Sequence, residues 1–246
     1  MKILFSPSET KYKGGMKEQL TKDSFLFPEL FNYRTEVINK YQNFIGNATD
    51  EQLVKLFGTK KQDVINYYKN NLEDAEFMKA IERYDGVAYD YLKYSDLNND
   101  EKDYIDFNVI IFSNLYGPIL ASDKVQDYKL KQTEKLDNFA LEDFYREHFS
   151  EQLDQFLENE DILDLRAGFY EKFYKILKPY TTMKFIKDGK VVSHWAKAYR
   201  GIVLREMSKN NIQSISELMN MEIDNLSIHE IKEQKNKKEI VYNILE

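Results

Sequence analysis

Apolar positions along the chain follow strand-like runs and helix-like spacings in mixed order. Residues 2–5 and 108–113 are continuous apolar runs, which are typical of buried strands. An Asp188-Gly189 pair between two alternating runs predicts a hairpin over residues 182–193. Further strands are predicted at residues 127–132, 161–165 and 239–245. Helical spacing predicts helices at residues 28–45, 51–57, 60–70, 72–84, 141–157 and 193–209.

Three other segments carry weaker patterns. Residues 86–94 fit either a strand or a helix, and residues 114–123 and 232–239 are predicted as loops. Strands and helices are mixed without regular β-α-β units, which is typical of an α+β fold. Glycine and proline are scarce, with 9 and 4 residues, so long flexible linkers are not expected. The pattern therefore predicts a single α+β domain over residues 1–246.

Residues 49–70 are predicted to form two short helices joined by a tight turn. Gly58 suits the left-handed position that ends the first helix, and Thr59 suits the cap of the second. Free backbone N–H groups and the helix dipole favour a DNA phosphate at the start of the second helix, where Lys60 and Lys61 add positive charge. The segment is a candidate for sequence-independent DNA contact, and an ordinary αα-hairpin is the alternative.

The loop after the first strand, residues 6–15, is a second candidate site. Ser8, Lys11 and the backbone N–H groups are suited to an anion such as phosphate. Glu9 is suited to acid–base chemistry or to accepting a hydrogen bond from a sugar hydroxyl. The spacing of a P-loop is absent, and a polar surface loop is the alternative.

The helix predicted from Ser193 carries a basic face. His194, Lys197, Gly201 and Arg205 share one side at helical spacing. A glycine inside a helix costs about 1 kcal/mol relative to alanine, which indicates either a close packing contact or a ligand near the backbone. The face is therefore either an anion-binding wall or a solvated helix surface.

Asp164 and Arg166 stand at the end of a predicted strand, with side chains on the same side. Arginine binds planar oxyanions through two parallel hydrogen bonds. The pair is interpreted either as an internal ion pair or as part of an active site, with Asp164 as a possible acid or base.

Composition limits the chemistry further. The chain has 35 Lys+Arg against 42 Asp+Glu and a net charge of −7, which excludes a uniformly basic nucleic-acid binder but not a local basic patch. There is no cysteine, which excludes disulfides, thiolate nucleophiles and cysteine-held metals. The three histidines are scattered, and no metal or other cofactor is predicted. No run approaches the roughly 18 apolar residues of a membrane span, so no membrane partner is expected.

Several motifs together resemble one branch of the YaaA family, the peroxide stress proteins. The opening SPSETKYKGG resembles the Pro-Ser-Glu-Thr-Lys…Gly-Gly opening of that branch. Where another branch has lysine, this chain has Glu9, so an anion-binding role there would pass to Lys11. Further matches follow in order along most of the chain, at RYDGVAYDYL (83–92), FSNLYGPILASDKVQDYKLK (112–131), ILDLRAGFYEKF (162–173) and VVSHWAKAYRGIVLREM (191–207).

The resemblance implies a cytoplasmic bacterial protein in which helices surround a central mixed sheet. It also implies a role in protecting DNA from peroxide and limiting free iron. A DNA-binding cleft with a helix-hairpin-helix is implied as well, and residues 49–70 lie where that motif should fall.

Two hypotheses of different classes follow. The first is a peroxide-stress protein that binds DNA weakly and non-specifically through the helix-hairpin-helix-like segment and a basic strip. That strip combines Lys11, Lys129, Arg166, Lys197 and Arg200. Of these, we expect Lys11, Arg166, Lys197 and Arg200 to converge on one cleft. The second is an enzyme acting on a nucleobase, nucleotide or nucleic acid, with a polar pocket around Glu9, Lys11, Asp164, Arg166 and Lys197. An open basic groove would favour binding, whereas an enclosed pocket with paired carboxylate and cation would favour catalysis.

Overall fold

The computed structural model describes residues 1–70 and 76–245. In chain order the strands are β1 (Lys2–Phe5), β2 (Thr10–Lys11), β3 (Phe77–Lys79), β4 (Tyr84–Asp85), β5 (Val109–Ser113), β6 (Gly117–Leu120), β7 (Lys124–Gln126), β8 (Ile162–Asp164), β9 (Tyr180–Lys187), β10 (Lys190–Val191), β11 (Leu226–Gln234) and β12 (Lys237–Ile244). The helices are α1 (Phe31–Asn47), α2 (Asp50–Phe57), α3 (Gln62–Asn70), α4 (Ala80–Arg83), α5 (Val87–Leu92), α6 (Asn99–Asn108), α7 (Leu141–Phe156), α8 (Ser193–Lys209) and α9 (Ile215–Asn220).

A mixed sheet forms the centre of the fold. Its strands lie in the order β11-β12-β9-β8-β1-β5-β6, and β10 pairs with β9 as an eighth strand. The strands β12, β9, β8, β1 and β5 run parallel to their neighbours in this series, whereas β6 and β11 pair antiparallel at the two ends. The pairs β2–β4 and β3–β7 form two small separate sheets. This arrangement confirms the α+β class and the central mixed sheet.

The centre of the sheet is apolar because its strands are covered on both faces. Every residue of β5 is buried, and Ile3, Leu4 and Leu163 have no exposed surface. Continuous apolar runs are what buried parallel strands require. These short runs therefore place β1 in the middle of the core, between β5 and β8.

The predicted pair of helices at residues 49–70 is present as α2 and α3. Thr49 Oγ1 accepts a hydrogen bond from the Gln52 N–H and caps α2. Gly58 ends that helix with φ of 63°, in the left-handed region that favours glycine. Thr59 Oγ1 then accepts from the Lys61 N–H just before α3. The helices and their turn follow from these local signals, whereas the helix-hairpin-helix role in binding DNA stays a prediction.

Several predicted elements are wrong. Residues 114–123 contain the strand β6, and residues 127–132 contain no strand because β7 ends at Gln126. Residues 77–79 of the helix predicted at 72–84 form β3, which pairs with β7, and residues 71–75 lie outside the described part of the chain. The polar residues 232–239 belong to β11, β12 and the turn between them.

Three other outcomes complete the comparison. The ambiguous residues 86–94 contain the helix α5. The helix α6 and most of β11 were not predicted at all. Within residues 1–70 and 76–245, no helix is long and apolar enough to cross a membrane.

Candidate functional site

A cavity of about 440 Å³ opens beside the carboxyl ends of β1 and β8. Its lining comes from the loops after these two strands, from the start of α5 and from one turn of α8. The lining residues are Phe5, Ser6, Pro7, Ser8, Glu9, Thr10, Gly86, Val87, Ala88, Tyr89, Gln132, Leu165, Ala167, Tyr170, Lys197 and Arg200. The volume falls within the range of small-molecule binding sites.

The position of the cavity follows from the sheet topology. The chain leaves β1 and reaches β5 on one side of it, and only later reaches β8 on the other side. Loops that leave adjacent parallel strands in opposite directions open a crevice at their carboxyl ends, where open α/β sheets bind ligands. The sequence therefore places polar loop residues at a natural binding crevice.

The loop after β1 is held on both sides. Ser6 Oγ accepts a 2.7 Å hydrogen bond from the Ala167 N–H, and the Tyr89 hydroxyl donates to the Ser6 carbonyl at 2.9 Å. Ser8 packs against Gly86, whose φ is 146° and where a Cβ would lie 2.7 Å from Ser8 Oγ. Glycine is therefore required at this close approach, which fixes the loop beside α5.

Glu9 lies on the rim of this loop with an exposed side chain. Its Oε1 accepts a 2.9 Å hydrogen bond from the Gln132 N–H. That bond orients the carboxylate while its other oxygen has no partner among the described residues. A carboxylate held in this way is suited to accepting a hydrogen bond from a ligand hydroxyl or amino group.

Lys197 and Arg200 contribute the positive charge of the cavity. They are one turn apart on α8, with Lys197 exposed and Arg200 half-buried. Burial lowers the pKa of Arg200, and the charges of Asp164 and Glu171 oppose that shift. Among the residues that the structure describes, neither cation forms a hydrogen bond or an ion pair. Two unpaired cations therefore line a cavity that also holds the Glu9 carboxylate.

Gly201 explains why α8 comes so close to α5. A Cβ at this position would overlap the Ala88 carbonyl oxygen and would lie 2.9 Å from the Ala88 carbonyl carbon. Arg205 donates to the carbonyls of Leu92 and Lys93, each at 2.9 Å. The expected basic face is therefore divided: Lys197 lines the cavity, whereas Gly201 and Arg205 pack against α5 and the residue that follows it. The side chain of His194 lies outside the described residues.

The Asp164–Arg166 pair is internal. Both side chains are buried, and Arg166 Nε and Nη2 each donate to Asp164 at 2.9 Å. Arg166 Nη1 donates to the Tyr170 carbonyl at 3.2 Å and to the Tyr174 carbonyl at 3.0 Å. These bonds fix the loop that carries Leu165, Ala167 and Tyr170 into the cavity wall, but Arg166 itself does not line the cavity.

Lys11 is also buried, behind the loop rather than in the cavity. Its Nζ lies 3.9 Å from the centre of the Tyr128 ring and donates long hydrogen bonds to the Ser8 and Glu9 carbonyls, at 3.3 and 3.4 Å. Burial lowers the pKa of Lys11 to about 7, and the nearby Asp127 charge acts in the opposite direction. Of the four cations expected to converge on one cleft, Lys197 and Arg200 line the cavity. Lys11 and Arg166 are buried behind its wall.

The other predicted basic residues lie around the α2–α3 turn. Lys60 and Lys61 are exposed, and Lys129 Nζ lies 5.9 Å from the centre of the Tyr68 ring on α3. The Lys131 N–H donates to the Leu56 carbonyl at 2.8 Å. Residues 128–132 thus connect this turn to Glu9, which is bonded to the next residue, Gln132.

Sequence reasoning missed the aromatic side of the cavity and the buried carboxylate near Lys11. Tyr89 and Tyr170 line the cavity, and Asp127 accepts hydrogen bonds from the hydroxyls of Tyr67 and Tyr68. The one sequence feature at Tyr89 was that residues 86–94, which contain it, fit neither a helix nor a strand clearly. Asp127 stood in a predicted strand and offered no signal of this role.

Within residues 1–70 and 76–245, no group of three His, Asp or Glu side chains is positioned to hold a metal ion. The expectation that the chain uses no metal or cofactor stays a prediction.

The fold and the cavity define an α+β protein with a polar crevice at the carboxyl ends of its central parallel strands. A model of the family described as peroxide stress protein YaaA matches residues 1–232. The chain therefore belongs to the YaaA family, which confirms the resemblance seen in its motifs.

Relatives in several bacteria agree with this assignment. An uncharacterized protein of Campylobacter jejuni is 48% identical over 246 residues, which is 100% of both chains. A UPF0246 protein of Fusobacterium nucleatum is 27% identical over 96% of this chain and 97% of its own. A UPF0246 protein of Corynebacterium efficiens is 30% identical over 85% of each chain.

Proposed function

We propose that this chain acts in the bacterial cytoplasm during peroxide stress by binding DNA weakly and without sequence preference. The contact surface is the basic strip in a revised form: the buried Lys11 and Arg166 are left out, and Lys60, Lys61 and Lys131 join Lys129, Lys197 and Arg200. The observation that carries the proposal is the segment of residues 128–132. It is bonded to α2 at Leu56 and to the cavity rim at Glu9, so it supports one surface from the α2–α3 turn to the cavity.

The chemistry of the strip is suited to phosphates rather than to bases. Lys60 and Lys61 are exposed and precede α3. The first backbone N–H groups of a helix lack partners within the helix and favour an anion. Lys131 Nζ forms an ion pair with Glu134 Oε1 at 3.5 Å, and Asp63 lies in the first turn of α3. These acidic neighbours and the net charge of −7 keep the affinity low.

The salt dependence of binding tests this chemistry. Each neutralised phosphate contributes a slope of about −0.9 in log K against log salt for duplex DNA. With four to six contacts, the slope should lie roughly between −3.6 and −5.4. Fluorescence anisotropy of a labelled duplex between 50 and 200 mM salt measures it, and an affinity that does not change with salt would refute phosphate binding.

A matched pair of charge-reversal variants tests the location. Lys60→Glu with Lys61→Glu should weaken duplex binding equally for unrelated sequences, because phosphate contacts carry no base information. The control is Lys235→Glu with Lys238→Glu, which makes the same charge change in the β11–β12 hairpin. That hairpin end lies beside the first residues of β9, at the amino ends of the parallel strands, whereas the cavity lies at their carboxyl ends. Equal losses in both variants would reduce the effect to net charge, and no loss in the first would remove the α2–α3 turn from the proposal.

A second candidate is an enzyme that acts on a nucleobase, nucleotide or nucleic acid. The observation that favours it is the cavity itself, in which a fixed carboxylate and two unpaired cations line one crevice. Glu9 would be its acid or base, and Lys197 with Arg200 would hold an anionic group. Asp164, Arg166 and Lys11 would act from behind the wall by positioning the loops. Turnover of nucleotides or nucleic acid that is lost in Glu9→Gln would distinguish this candidate from simple DNA binding.

A further inference from the structure

The lining of the cavity divides into three chemically different parts. Arg200 and Lys197 provide unpaired positive charge, Glu9 and Ser8 provide hydrogen-bonding oxygens, and the floor is aromatic. That floor includes Phe5 and Tyr89, whose rings meet edge to face with centres 5.7 Å apart. A ligand that satisfies all three parts carries an anionic group, hydroxyl or amino donors and an apolar planar portion.

The charged part is built for an oxyanion. The guanidinium of Arg200 is half-buried, with no partner among the described residues, and an arginine pairs with phosphate through two parallel hydrogen bonds. Its place is set by the backbone contact of Gly201 with Ala88, which fixes α8 against α5 at the cavity wall. Leaving a half-buried guanidinium unpaired has a cost in desolvation, and an anionic ligand would supply the partner it lacks.

The size of the cavity excludes a duplex. A space of about 440 Å³ holds a molecule of drug size. A B-DNA duplex is much larger, since its grooves alone are about 6 to 12 Å wide. A single nucleotide unit fits all three chemical requirements within this space. Its phosphate, its sugar hydroxyls and its base correspond to the three parts of the lining.

We infer that the cavity binds one nucleotide unit, with the phosphate on Arg200 and Lys197 and the sugar or base donors on Glu9 and Ser8. This inference rests on the nucleic-acid function proposed above and names its ligand. The unit has two sources, a free nucleoside monophosphate or a nucleotide turned out of a strand that lies on the basic strip.

Isothermal titration calorimetry on the full chain tests the inference with three probes. These are adenosine 5′-monophosphate, adenosine and inorganic phosphate, and the guanosine, cytidine and uridine monophosphates follow as base variants. A nucleoside monophosphate should bind at least tenfold more tightly than either adenosine or phosphate alone. Equal affinity for phosphate would leave only an anion site, and the absence of binding by all four monophosphates at millimolar concentration would overturn the inference for free nucleotides.

Variants locate the ligand in the cavity. Arg200→Met should lose at least tenfold in affinity, whereas Arg146→Met, at an exposed arginine on α7, should bind as the parent chain does. Glu9 is exposed, so Glu9→Gln should leave the fold intact and provides a second test. It should weaken the binding of the nucleotide but not that of inorganic phosphate. Thermal unfolding confirms that each variant is folded. An unchanged affinity in both cavity variants would refute the site.

A final arm separates the two sources and the two proposals. A duplex with one unpaired, extruded nucleotide should bind more tightly than a fully paired duplex if the cavity takes a nucleotide from a strand. Lys60→Glu with Lys61→Glu should weaken duplex binding and leave monophosphate binding unchanged. Monophosphate binding without any duplex binding would overturn the DNA proposal alone. Salt-sensitive duplex binding without monophosphate binding, and without preference for the extruded nucleotide, would overturn the cavity alone.

Discussion

Gly201→Ala should destabilise the protein, although alanine is the better helix former. Exchanging glycine for alanine inside a helix contributes about 0.5–1 kcal/mol to stability when nothing obstructs the new methyl group. At Gly201 the methyl would overlap the Ala88 carbonyl oxygen, lie 2.9 Å from its carbon and lie 3.0 Å from the Leu92 nitrogen. Carbon atoms pack at about 3.5–4.0 Å, so α5 and α8 must separate by roughly 1 Å.

The magnitude follows from this separation. Overpacking of a closely packed contact costs about 1–3 kcal/mol, which exceeds the gain in helix propensity. Gly46→Ala is the matched control, because Gly46 lies on α1 with nothing within 4 Å of an added Cβ. The control should be stabilised by about 0.5–1 kcal/mol. Both variants share this gain in helix propensity, so they should differ by the overpacking cost of about 1–3 kcal/mol.

Thermal and urea unfolding of the two variants side by side measure this difference. For a chain of this size, each kcal/mol shifts Tm by about 2–4 °C, so the two Tm values should differ by roughly 2–12 °C. If Gly201→Ala were stabilised as much as Gly46→Ala, the helices would have room to spare, and the backbone contact would not explain the glycine.

Three further variants test buried groups. Burial lowers the pKa of Lys11 to about 7, so the folded chain binds fewer protons than the unfolded chain from pH 7 to 10.5. The free energy of unfolding should therefore rise with pH in that window. Lys11→Met should remove this rise, as measured by urea unfolding at pH 7.5 and 9.5. Asp123 has its pKa raised by burial to about 6, so stability should fall as pH rises from about 4 to 6, and Asp123→Asn should flatten that slope. Arg34 is fully buried and donates to the carbonyls of Tyr116, Leu26 and Pro118. Arg34→Ala strands these acceptors and should cost at least about 3 kcal/mol in urea unfolding, a loss that a mere surface arginine would not show.

The elements predicted correctly are those that local signals define. Gly58 adopts the left-handed conformation its position requires, and Asp188-Gly189 turns the chain between β9 and β10 with φ of 51° and 72°. The apolar runs at residues 2–5 and 108–113 became β1 and β5 because a short run of this kind has few alternatives to a buried strand.

The elements missed depend on where a segment lies in the sheet. Gly117-Pro118 suggested a loop, yet β6 is an edge strand, where proline needs no ladder partner for its missing N–H. Gly117 has φ of 69° and lies against the Tyr145 ring, a contact made only in the folded chain. The strand β11 is exposed along almost its whole length, so it has no buried side to mark it in the sequence. The sequence does carry a signal for α6, because Asn98 suits a helix cap, where its Oδ1 accepts a hydrogen bond from the Glu101 N–H.

The site was predictable in its residue types but not in its depth. Lys197 was predicted because it shares a helix face with His194 and Gly201, Arg200 as part of the basic strip, and Glu9 because it lies in the polar loop after the first strand. Lys11 and Arg166 were expected beside them. Burial and the hydrogen bonds to Asp164 and to backbone carbonyls put both behind the wall, and tertiary packing alone decides that.

The central position of β1 has a consequence for how the chain is made. This strand leaves the ribosome well before its partners β5 and β8, the second of which is complete only after Asp164. At 5–20 residues per second, the apolar side chains of Ile3, Leu4 and Phe5 wait on the order of ten seconds for both neighbours. The middle of the sheet thus closes late in translation, and until then the apolar β1 is open to pairing with strands of other chains.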